Sequence, residues 1–216
     1  MLKSLLKGAV PMAGHFNESM SQTMHDFKYF VEPVFKKLWR DCVWFSNENA
    51  GNALADYFDT CSGIDLWQVN LESKIIKGVA SRIQRSDKCY ETFTVRFERE
   101  TGTETEYSKR LHAIRNGGLY PELTYQAYIS ADGERFSALA VAKTVDIFRF
   151  IEKESVAVKK TGNDQIGQAN FFVINWDDMK TKGYEIVIVK RRNSSLECYA
   201  KGMNFTLPLS CEAAHD

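Results

Sequence analysis

The sequence predicts an α+β fold with an α/β-like core. A central mixed sheet of helix-βββ-α-β order is flanked by helices and followed by a small, mostly β C-terminal extension. Three observations predict it. Short runs alternate apolar and polar residues with a period of two, as Phe93, Val95 and Phe97 do against Thr94, Arg96 and Glu98. Between such runs lie segments with apolar residues at helical spacing, as Tyr107, Leu111 and Ile114. The two kinds of segment interleave without any internal repeat.

Taken in order, residues 1–22 carry Gly, Pro, Ser and Asn and read as a loose arm. From His25, the residues Phe27, Phe30, Val31, Val34 and Leu38 recur at helical spacing. Pro33 interrupts them: either it kinks one helix or it occupies the first turn of a second. Phe35, Trp39, Val43, Trp44 and Phe45 form an aromatic cluster, read as core helix packing on a sheet, with a base-stacking surface as the other reading. Ser46-Asn47-Glu48-Asn49 offers cap residues for a helix bearing Leu54, Tyr57 and Phe58.

Strands are predicted from Ile64, over 75–84 and over 91–99. Thr103 and Glu106 fit a capping box, and Gly117-Gly118 closes the helix they open. Leu123 to Ile129 is a further strand, and Asp132-Gly133 turns into another over 135–142. Thr144 begins a helix with Val145, Phe148 and Ile151 on one side. Residues 157–168 read as a polar loop, and strand-like runs follow at 169–176, 184–191 and 196–200. Trp176-Asp177-Asp178 reads as a turn and helix start. The division is therefore an arm over 1–22, a core over 23–156 and a β-rich extension over 157–216.

Composition bounds the function. The chain has 216 residues, 44% hydrophobic and 26% charged, and no net charge. That argues against nucleic-acid affinity through net charge and leaves room for a local patch. The five cysteines (42, 61, 89, 198, 211) have no CxxC spacing, so a zinc ribbon is not expected. Their odd number points to reduced thiols in a cytoplasmic setting. The first residues are too broken for a signal peptide, and no membrane association is expected. Gly-rich phosphate loops, GxSxG and Cys/His signatures are absent.

A patch does exist. Between Lys74 and Arg115, ten basic residues face six acids. Arg85, Lys88, Arg96, Lys109 and Arg110 are the candidates for phosphate contact. The alternative is helix-surface pairing, since Glu106 and Arg110 are four apart.

The residues Ser62-Gly63-Ile64-Asp65, then Gly78 to Gln84, then Thr92 to Arg96 lie in the helix-βββ-α-β order just described. This arrangement resembles the restriction-endonuclease-like (PD-(D/E)XK) superfamily over roughly residues 47–129. The resemblance implies a Mg²⁺-dependent nuclease acting on or binding DNA, of bacterial or mobile-element type. In that reading Asp65 and Glu48 hold the metal, Gln84 completes the site and Arg82 steadies the phosphoryl charge. The second strand departs from the family's pattern: Ala80 stands where an acid is expected if Arg82 replaces the Lys, and Ser86 follows Gln84. That departure implies the alternative, a catalytically inactive nuclease-fold protein that serves as a binding or interaction module. Asp65 also reads as a turn or cap residue.

Overall fold

A computed structural model describes residues 21–47, 57–163, 167–203 and 211–213. The fold is α+β, as expected. Among the described residues, a central mixed sheet has eight strands and a second sheet has three.

Residues 21–26 are already α-helical and lead through a π-helical turn, Phe27–Val31, directly into α1, Glu32–Leu38. Pro33 sits in the first turn of α1, directly after the π-helical turn, so the helical run continues through it with one backbone N–H fewer. Phe27, Val31, Val34, Phe35 and Leu38 pack on one face of the central sheet, against Leu66, Val79, Tyr125, Leu139 and Val187. The aromatic cluster divides. Phe35 and Trp39 stay with the helix, while Trp44 lies on β1, Cys42–Ser46, an edge strand that sequence periodicity takes for continued helix. Most of the helix expected after Ser46 lies outside the described residues; Phe58–Ser62 forms a π-helical turn.

The strands β2 (Leu66–Asn70) and β3 (Ile76–Arg85) pair antiparallel. The third expected strand, β4 (Thr92–Arg99), does not join them. It leaves for the second sheet, and β5 (Leu123–Ile129) takes its place, parallel to β3. Alternation marks β4 as a strand but carries no information about which sheet receives it.

The helix α2, Glu106–Asn116, lies in the connection from β4 to β5. Its N-cap is Thr105, with Ser108 closing the box, two residues later than the sequence suggests. Gly117 ends it in the left-handed conformation. Beyond it, β6 (Phe136–Lys143) pairs with β5, and α3 (Thr144–Lys153) buries Ile147, Phe148, Phe150 and Ile151 in a second core. That core lies on the other face of the sheet and includes Phe93, Val95, Ile174 and Trp176.

The C-terminal strands are built into both sheets. Residues 157–163, read as loop, form β7, which pairs with β8 (Gly167–Asn175). β8 pairs with β4. The short helix α4 (Trp176–Thr181) is capped by Asn175. Then β9 (Ile186–Arg192) adds to β6, β10 (Ser195–Lys201) to β9, and β11 (Cys211–Ala213) to β10. Among the described residues, no helix is long and apolar enough to cross a membrane.

A candidate anion-binding face

Two sheets meet at β3, β4 and β5, and a polar chain joins them. Gln126 on β5 accepts from the backbone N–H of Thr94 at 2.8 Å and donates to Tyr128 Oη at 2.9 Å. Tyr128 and Thr92 hydroxyls meet at 3.0 Å. Thr94 Oγ1 in turn accepts from Arg82 Nη1 at 2.7 Å. These groups are largely buried, so each must find a partner, and together they fix where Arg82 points.

Arg82 points at Glu106, the first residue of α2, at 3.6 Å. Arg96 of β4 approaches the same carboxylate oxygen at 3.8 Å. Burial disfavours the charge on Glu106, but the guanidiniums of Arg82, Arg110 and Arg96, with a backbone hydrogen bond from Arg96, outweigh it and lower its pKa from the ordinary carboxylate value. Burial holds the pKa of Arg96 below the usual arginine range, opposed by Glu106. It stays charged, because arginine titrates far above neutrality. Arg110 is buried and donates Nη2 to the carbonyl of Gly63 at 3.2 Å. Gly63 has φ 65°, which favours glycine, and a Cβ there would stand 3.2 Å from Arg110 Nε and press on that guanidinium.

Two arginines thus gather on one carboxylate, and Arg110 adds to the field at longer range. Arg96 Nε and Arg110 Nε are buried without a hydrogen-bond partner among the described residues. Arg82 and Arg96 also lie over the ring of Phe171, 5.2 and 5.3 Å from its centre. Cross-strand register places Lys159 of β7 opposite Phe171, on the side away from Arg96. Lys159 reaches Tyr90 at 5.5 Å, and Lys88 reaches the same ring at 5.2 Å. Cations and aromatic rings therefore alternate from Arg96 across Phe171 and Lys159 to Tyr90.

The other residues singled out in the sequence are placed as follows. Asp65 is half-buried just before β2. One carboxylate oxygen accepts from Ser81 N–H at 2.5 Å, while Asp65 N donates to Val79 O at 3.0 Å. Its carbonyl accepts from Asn47 N–H at 3.1 Å. This carboxylate ties the start of β2 to β3, a cross-strand contact rather than a local turn or cap. Gln84 is half-buried and, by alternation, on the same face of β3 as Arg82. Lys109 is half-buried on α2.

Arg85 is not part of this face. It lies three residues past Arg82, so it projects to the opposite side of the sheet, where it grips Asp26 with two bonds of 2.8 and 2.6 Å. That hydrogen bonding to Asp26, against the opposing effect of burial, raises its pKa from the ordinary arginine value.

Glu48, the second metal ligand expected, lies outside the described residues. Among the described residues, no group of three or more His, Cys, Asp or Glu side chains is placed to hold a metal. Magnesium wants carboxylate and water oxygens in near-octahedral array. Asp65, with one oxygen already on Ser81, does not make up that donor set, and no chemical step follows from it.

Sequence reasoning found Arg82, Arg96 and Arg110 but treated Glu106 as a cap or a helix-surface partner. Phe171 and Lys159 escaped notice because their strands are distant in sequence; only cross-strand register brings them together. Comparison with known proteins finds no matching family model, no matching curated protein and no matching solved structure.

Proposed function

We propose that the protein is a non-catalytic nucleic-acid-binding module, with DNA as its first candidate ligand, working through the arginine face. One observation carries this reading: two guanidiniums, of Arg82 and Arg96, converge on a single carboxylate, Glu106, and Arg110 acts on it at longer range, which leaves a local excess of positive charge. Arginine forks match phosphate geometry, and the side chains of Arg82 and Arg96 are partly exposed, 28% and 23%. Phe171, under two of the guanidiniums, adds an aromatic surface of the kind bases stack on. The cysteines that are described are free thiols, in keeping with a cytoplasmic setting.

The test is binding of labelled DNA, as duplex and as separated strands, followed by fluorescence polarisation over a salt series. Affinity is expected to fall linearly with salt on a double-logarithmic plot. Arg82→Ala and Arg96→Ala are each expected to reduce the slope by about one. No binding of either form at low salt, or slopes unmoved in both variants, ends the proposal.

The nuclease reading is tested beside it, because Asp65 is half-exposed and belongs to the strand pair that carries Arg82. Plasmid incubated with protein and Mg²⁺ or Mn²⁺ is expected to remain uncut. Asp65→Ala is expected to cost about 1–3 kcal/mol of stability by freeing the Ser81 N–H. Cleavage that vanishes in Asp65→Ala would replace the binding reading with an enzymatic one.

A further inference from the structure

Beyond the arginine face, the chain forms a cleft of about 820 Å³. Its lining includes Arg135, Lys190, Arg191 and Arg192, together with Cys89 and Glu91. Lys190 is paired with Glu91 at 2.5 Å and Arg192 with Glu197 at 3.0 Å. Arg135 and Arg191 are exposed and have no salt-bridge partner among the described residues. The cleft is therefore cationic after internal pairing.

Tyr90 lies in the chain between two residues of that lining. It is 42% exposed, high for a residue whose ring also rests on buried Tyr128, 6.3 Å between centres. Lys88 and Lys159 stand at this ring. The mounting is firm. Glu91 holds a left-handed backbone, φ 52°, its carbonyl accepts from Trp176 N–H at 3.0 Å, and its carboxylate is fixed on Lys190. A platform held in advance loses little freedom on binding.

We propose that this element binds single-stranded nucleic acid, with a base stacked on Tyr90 and the adjoining phosphates in the cleft by Arg135 and Arg191. This rests on the nucleic-acid reading above and adds a strand form and a second contact region. The chemistry selects the occupant. A base inside a duplex is already stacked on its neighbours and cannot cover a tyrosine, whereas an unpaired base can. Lysine is a flexible point charge, so Lys88 and Lys159 can yield the ring face to a base and keep contact with its phosphates. The cleft is open along one side and has room for one or two nucleotides beside the ring.

The experiment compares labelled oligo-dT, oligo-U, a mixed-sequence duplex and heparin by polarisation. Single strands are expected to bind more tightly than the duplex. Tyr90→Ala is expected to weaken them roughly 5- to 100-fold, the range of one base–aromatic stack, while duplex binding stays the same. Tyr90→Trp, with its larger ring, is expected to hold or raise single-strand affinity. Arg135→Ala with Arg191→Ala is expected to lower the single-strand salt slope by about 1.4, near 0.7 per cation. Thermal melting checks that each variant is folded, and Tyr57→Ala, another exposed tyrosine, serves as the unchanged control. A preference between oligo-dT and oligo-U, which differ in the sugar and in the thymine methyl, supports the proposal in either direction, and oligo-dU then separates the two differences. Duplex or heparin bound as tightly as the strands, or Tyr90→Ala matching the wild type, overturns this inference and leaves the arginine-face reading standing. No binding of any nucleic acid overturns both.

Discussion

Arg82 and Arg85 lie three residues apart on β3, and their guanidiniums have opposite fates. Arg85 meets one buried carboxylate, Asp26, in a two-bond grip. Arg82 shares one carboxylate, Glu106, with two other arginines. The first arrangement is balanced and ties the helical N-terminal segment to the sheet. The second is unbalanced and leaves positive charge unmet. Matched charge within a fold is architecture; surplus charge of one sign at a partly exposed site suits an outside ion.

The largest expected effect breaks the balanced side. Arg85→Ala strands Asp26, whose side chain is only 3% exposed, without its countercharge. A buried charge without a partner is costly, and the loss is expected to be about 2–3 kcal/mol in urea denaturation. Nucleic-acid affinity is expected to stay within twofold of the wild type, because Arg85 projects from the other face. A fall in affinity with no loss of stability would erase the distinction between the two arginines.

Glu106→Gln tests the unbalanced side and should do two things at once. Removing the shared carboxylate leaves three guanidiniums repelling one another, for a loss of about 1–2 kcal/mol after allowing for partial exposure. It also adds one unit of positive charge, so nucleic acid should bind more tightly and with a steeper salt slope. The pH dependence follows from the lowered pKa of Glu106. Its stabilising contribution is fully present above the unfolded value of about 4.3 and is lost as pH falls through the lower folded value. Glu106→Gln should therefore flatten the acid limb of the stability curve. An acid limb of unchanged steepness would mean that other carboxylates govern it.

These two arginines also show how far a sequence can be read. Alternation alone puts Arg82 and Arg85 on opposite faces, so their separation was legible. The elements with strong local signals were legible too: the Asp132-Gly133 hairpin, the α3 stripe and the Gly117 helix end. The edge strand β1 was not, because Cys-Val-Trp-Phe-Ser is an apolar run without alternation, following a helix of similar residues. β7 was hidden by its lysines and glycine, since strand pairing with β8 outweighs weak local preference. Asp65 was noticed by residue type, but which group its carboxylate meets depends on the register of β2 on β3. The Phe171–Lys159 row depends on the pairing of β4, β8 and β7, and the paired residues of β4 and β8 are about 70 to 83 apart in the chain.

The smallest effect separates the two roles open to Glu106. The sequence spells two overlapping boxes, Thr103 with Glu106 and Thr105 with Ser108, and the fold uses the second. Thr105→Ala removes the hydroxyl facing Ser108 and should cost about 1 kcal/mol. With that cap gone, the helix can extend back to Thr103, where Glu106 would turn to the helix end and away from the arginines. A cap bond carries about 0.5–2 kcal/mol and offers Glu106 one backbone N–H, whereas two guanidiniums already stand within 4 Å of its carboxylate. Glu106 is therefore expected to stay with the arginines, and the salt slope of nucleic-acid binding in Thr105→Ala should equal that of the wild type. A slope that steepens as it does in Glu106→Gln would show instead that the cap at Thr105, not the arginines, holds Glu106 in place.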